Sequence, residues 1–84
     1  MKNVLIQEYI DRMTLEDVNN FAINNGIFLK EDELTLIYNH IVKNWRTVVY
    51  GNPRPILDDL KKNLDITTYQ KIETLYIHFK NRFL

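Results

Sequence analysis

Between residues 34 and 45 the apolar side chains Leu34, Ile37, Tyr38, Ile41, Val42 and Trp45 recur at i, i+3, i+4 and i+7 spacing. That period puts all of them on one face of an α-helix and would scatter them over both faces of a strand. The segment is therefore predicted to be a helix with this stripe turned inward. Ile37 and Ile41, near the middle of the stripe, are expected to be among the most buried residues. Glu31, Asp32 and Glu33 precede it, where carboxylates meet the positive end of the aligned peptide dipoles.

The flanking segments share the same period. Ile6, Tyr9, Ile10 and Met13 predict a first helix over about Asn3 to Arg12. Thr14 then opens "TLED", a capping-box-like start with Asp17 three residues on, and Leu15, Val18, Phe21 and Ala22 line one face of a second helix. Gly26 suits the C-terminal cap of that helix, and Ile27 and Leu29 of the connector "IFLK" read as core plugs rather than a strand. A fourth helix is built on Ile56, Leu57, Leu60 and Leu64, and a fifth on Tyr69, Ile72, Leu75, Tyr76, Phe79 and Phe83, with Asp65 or Thr67 as the cap between them. The expected fold is all-α, a compact bundle of four or five short helices with the third at its centre, in a single domain spanning residues 1–84.

The stretch "WRTVVYGNPRP", residues 45–55, breaks the pattern. Val48, Val49 and Tyr50 are β-prone, "GNPRP" is turn chemistry, and Pro55 suits the first turn of a following helix. Trp45 continues the inward stripe and should pack at the core edge. Arg46 falls one step off it and Arg54 lies between two prolines, so both should project outward. Tyr50 stands on a segment too irregular to bury itself. This reads as a joint with an inner side, Trp45, and an outer side of Arg46, Tyr50 and Arg54, extended by Lys43.

Several chemistries are excluded by residue type. The chain has no cysteine and no serine, so it has no thiolate metal site, no disulfide, and no Ser or Cys nucleophile. His40 and His78 lack a second histidine at i+3 or i+4, so each reads as a partly exposed helix-face residue and not as half of a metal pair. "KEDE" at 30–33 lacks the alternating ligands and central Gly of a calcium loop, and two glycines separated by 24 residues build no phosphate cradle. No catalytic residue, metal ligand or cofactor site is expected, and no small-molecule substrate is suggested. "MKNVLIQEYIDRM" is interrupted by Gln7, Glu8 and Asp11, and no apolar run approaches the roughly 20 residues that span a bilayer. A soluble cytoplasmic protein with no membrane partner is the expectation.

Charge is unevenly spread. Residues 1–42 hold Lys2, Arg12 and Lys30 against seven carboxylates, a net of −4, and since the whole chain is neutral the remaining half carries +4. Such asymmetry can steer an acidic partner or pair two copies. Nucleic acid is the competing partner, because residues 14–44 have the helix, Gly-containing turn and second helix of a helix-turn-helix, followed by Lys43, Arg46, Arg54, Lys61 and Lys62. Against it, the first turn of the would-be recognition helix carries three carboxylates, which phosphates repel. A non-catalytic module that binds another protein, or a second copy of itself, through Lys43, Arg46, Tyr50 and Arg54 is the preferred reading.

Taken together, "LIQEYIDRMTLEDVNNFAINNGIFLKEDELTLIYNHIVKN", "VVYGNPR" and "LDITTYQKIETLYIHF" resemble the small YqfT-like family of unknown function from Bacillus-type Firmicutes. The likeness lies in pattern and length and spans nearly the whole chain; "GNPRP" and the triple acidic helix start depart from it. It implies a bacterial cytoplasmic protein and brings no catalytic residues, in keeping with a chain rich in Asn, Ile, Lys and Tyr with a single alanine.

Overall fold

The capping signals of the sequence decide where each helix begins and ends. The computed structural model describes the backbone of residues 2–83 and the side chains of 5–78, 80 and 81. It contains α1 (Lys2–Arg12), α2 (Leu15–Asn24), α3 (Glu31–Tyr50), α4 (Arg54–Asn63) and α5 (Ile66–Phe83). At the start of α2, Thr14 Oγ1 accepts from the Asp17 N–H at 3.1 Å and Asp17 Oδ2 accepts from the Thr14 N–H at 3.0 Å, which satisfies two otherwise orphaned donors reciprocally. Its end is a Schellman motif: Gly26 sits at φ 76°, the Ile27 N–H donates to Ala22 O at 2.8 Å and the Gly26 N–H to Ile23 O at 3.0 Å. That turn drops Ile27 into the core at 2% exposure. Before α3, Glu33 reaches back to accept from the Lys30 N–H at 2.8 Å, and Asp65 Oδ2 accepts from the Thr67 and Thr68 N–H groups to open α5.

The third helix is the hub. It packs against α1, α2 and α4, while α5 joins the bundle by packing on α4. Tyrosine and tryptophan tips tie the elements together: the Tyr38 hydroxyl donates to Met13 O at 3.1 Å, Tyr76 to Val48 O at 3.3 Å, and Trp45 Nε1–H to Gln7 Oε1 at 3.1 Å. The deepest cluster lies where α4 meets α5, with Leu57, Leu60, Leu64 and Tyr69 buried and Leu36, Ile37 and Ile72 half-buried against them. The radius of gyration is 12.3 Å, close to the roughly 12 Å expected of a compact chain this long. Among the described residues no helix is long and apolar enough to cross a membrane.

Three expectations are corrected. Val48, Val49 and Tyr50 belong to α3, which runs on to Tyr50 with one kink at Asn44 (φ −127°, ψ 21°); β-propensity is a weak preference, and packing of the valines plus the Tyr76 bond to Val48 outweigh it. Ile37 and Ile41 are half-buried and not among the deepest residues: the helical period fixes the face they share, not whether a neighbouring helix closes over it. On α1 and α2, Tyr9 and Phe21 are 67% and 58% exposed; Gln7 takes an inward place on α1 by bonding to Trp45. The core assignments of Phe79 and Phe83 lie outside the described side chains.

This distribution of burial orders the energetics. Leu60→Ala, at a buried residue, should destabilise by about 2–5 kcal/mol, and Ile41→Ala, at a half-buried one, by clearly less. Gly26→Ala should cost about 1 kcal/mol although nothing lies within 4 Å of the added Cβ, since only the positive φ opposes it. Urea unfolding of the three variants tests the order; an Ile41 variant weaker than the Leu60 variant would contradict it.

Candidate interaction surface

Extension of α3 to Tyr50 changes what the joint presents. Arg46 and Tyr50 are related by i and i+4 beyond the kink, so they share one face; Lys43 precedes the kink at Asn44, and all three are exposed. Behind that face, Trp45 is 5% exposed. The Arg46 guanidinium carbon lies 4.9 Å from the centroid of the Trp45 ring, and Tyr50 meets the same ring edge-on at 6.3 Å and 63°. The indole thus anchors both outer residues while its own N–H is held by Gln7. Neither Lys43 nor Arg46 has a carboxylate within 4 Å among the described residues.

Arg54 is placed differently. It is the first residue of α4; its N–H donates to Asn52 Oδ1 at 3.1 Å, and its guanidinium lies 3.8 Å from the Asp58 carboxylate, both side chains more than half exposed. It also approaches the hydroxyl of Tyr69, whose pKa is raised above 10.0 by burial and by the hydrogen bond to Glu73, with Arg54 opposing. Arg54 therefore sits at the α4–α5 side, next to these α3 residues in sequence but engaged with its own neighbours.

The inner side of α3 holds a feature the periodicity did not signal. A cavity of about 500 Å³ lies between α1, α2 and the C-terminal half of α3, walled by Ile6, Ile10, Trp45 and Val49 among others. A second, of about 230 Å³, lies among α2, α3, α4 and α5, with Ile37, Leu57, Leu60, Ile72 and Leu75 in its wall. Val18, Phe21, Ile41 and Val48 line both, so these four residues stand between the two apolar clefts along α3. Tight packing of alternating faces is legible as a period; a gap left by helices that fail to close is not.

The histidines resolve into helix-face roles. His78 is exposed. His40, half-buried at the edge of the smaller cavity, donates from Nε2 to Asp59 Oδ2 at 2.7 Å, and Asn44 Nδ2 donates to its Nδ1 at 3.4 Å. Both ring nitrogens are therefore engaged in pinning α3 to α4 and to its own kink. Among the described residues no three His, Cys, Asp or Glu side chains are grouped to hold a metal. No protein-family model matches the chain, and no curated protein or solved structure matches it.

Tyr69 offers a pH test of the surroundings of Arg54. Because its folded pKa lies above 10.0, the unfolded chain releases this proton first; the stabilisation is complete below that value and is lost as pH rises through the folded one. Tyr69→Phe should cost about 1–2 kcal/mol near neutral pH through loss of the bond to Glu73. The gap to the parent protein should narrow as pH rises above 10.0; a gap that stays constant or widens, by urea titration at each pH, would contradict the assignment.

Proposed function

We propose that this chain is a non-catalytic protein-interaction module whose outer α3 residues, Lys43, Arg46 and Tyr50, together with Arg54, engage an acidic segment of another protein or the acidic half of a second copy. The observation that supports this most is the pre-ordering of Arg46 and Tyr50 on the buried Trp45 ring. Arginine and tyrosine dominate binding hot spots because they combine large contact area with directional polar groups, and side chains already ordered lose less entropy on docking. Lys43 and Arg46, with no carboxylate within 4 Å among the described residues, also retain their charge for an incoming anion. Phosphate could supply that anion too, but Glu31 and Asp32 stay exposed at the other end of the same helix, which disfavours a nucleic-acid backbone laid along it.

Replacement of Lys43, Arg46, Tyr50 and Arg54 by Ala together should leave the protein folded, since all four are exposed, and weaken partner capture from extracts of the native host by at least about tenfold. Equal capture by the folded quadruple variant would reject this surface. Retention of duplex DNA by the parent protein at near-physiological salt, weakening steeply as salt rises, would replace the protein partner with nucleic acid.

A further inference from the structure

We propose that the larger cleft, between α1, α2 and the C-terminal half of α3, is a docking groove for an amphipathic helix of another protein, one whose apolar stripe is flanked by lysine or arginine. This surface is distinct from the outer face of Arg46 and Tyr50 and asks for the opposite charge, so the inference does not depend on the partner reading above.

The course of the backbone opens the groove. α1 and α2 meet at the Met13–Thr14 turn, and among the described residues each packs on α3 while neither packs closely on the other. Their separation leaves Ile41, Trp45 and Val49 of α3 as a floor, Tyr9 and Ile10 as one wall, and Val18 and Phe21 as the other. Tyr9 and Phe21 are each more than half exposed, so the groove opens to solvent and its occupant keeps one side in water. An amphipathic helix is built for that division and satisfies its backbone internally. An extended peptide would turn its N–H and C=O groups to apolar walls, and no strand edge exists among the described residues to pair with them. From Ile41 to Val49 the floor spans about 12 Å of helix, enough for anchors at i, i+3 or i+4, and i+7.

Charge selects a cationic occupant. Asp17 lines the groove itself, and Glu8 stands beside it with Tyr9 and Met13, where Arg12 is the single cation. Glu8, Asp11, Glu16 and Asp17 are exposed and have no cation within 4 Å among the described residues, so their field is left for a partner. A second copy of the chain does not supply the matching helix. Its cationic α3 face, Asn39, Lys43, Arg46 and Tyr50, has no aliphatic side chain. On α5 the exposed Ile66 and Ile77 are separated by Gln70 and Thr74, and the apolar residues exposed on α1 and α2 sit among the carboxylates themselves.

Trp45, the single tryptophan, lies in the floor and reports occupancy. A tryptophan-free peptide with leucines at i, i+3, i+4 and i+7 spacing and lysines elsewhere should change its emission and saturate at one equivalent. Two controls separate stripe from charge: the lysine peptide with its order scrambled, and the leucine stripe with glutamates in place of the lysines. Each should bind at least about tenfold more weakly. Tyr9→Ala with Phe21→Ala, both at exposed positions, should weaken the lysine peptide about tenfold. Glu8→Gln with Asp17→Asn should weaken it about fivefold and narrow its lead over the glutamate peptide. Lys43→Ala with Arg46→Ala should not weaken it, which separates this groove from the outer face. The proposal is overturned by no saturable change, by equal binding of either control, or by full affinity in a Tyr9→Ala, Phe21→Ala variant that circular dichroism shows to be folded. Sedimentation of the free chain as a dimer that those two substitutions dissociate would overturn it as well, by placing a second copy in the groove.

Discussion

One helix must serve three neighbours, and the rest of the molecule follows from that demand. α3 is 20 residues long, about 30 Å, while α1, α2 and α4 are 11, 10 and 10 residues. Each short neighbour covers only part of its length on one side. The side facing none of them carries Asn39, Lys43, Arg46 and Tyr50, all exposed. α5 packs mainly on α4 and reaches α3 through Tyr76 and Val48, so the inner side stays incompletely covered and the apolar clefts are the space that remains. The exposed polar residues outside and the apolar clefts inside are thus opposite consequences of the same crowded helix.

Trp45 is where these consequences meet. Its position on the inward stripe buries the ring, its N–H needs an acceptor there, and Gln7 supplies one from α1. An aliphatic residue at Gln7 would leave that donor unpaired in an apolar wall, at a cost of about 1–3 kcal/mol. The ring's remaining surface is closed by Arg46 and Tyr50 rather than by another helix. A cation over an indole face is worth about 0.5–1 kcal/mol at an exposed site, enough to bias the rotamer of Arg46 without fixing it.

Signals that act over a few residues were legible in the sequence. Thr14 with Asp17, Gly26, Asp65 and Pro55 each mark a helix end by chemistry local to that end, and the structure places every one as read. The inward position of Trp45 followed from period alone. What depended on distant neighbours was not legible. Val48 and Val49 have strand propensity, and only their place in the wall of a bundle holds them in a helix. The stripe period put Ile37 and Ile41 at the centre of the inward face but could not say whether anything sat opposite them. Tyr9 and Phe21 were equally fit for core or rim, and the bond from His40 to Asp59 spans 19 residues, beyond the reach of any helix-surface rule.

The surface residues follow the same division. Exposure of Arg46 was readable from the stripe it leaves; that of Tyr50 was expected from an irregular segment that is in fact helix, and their joint support by Trp45 required α3 to continue past the point where its periodicity lapses. That continuation also couples inside to outside. Trp45 walls the larger cavity on one side and carries Arg46 and Tyr50 on the other, so the packing that fixes the ring inside also sets the surface those residues offer outside.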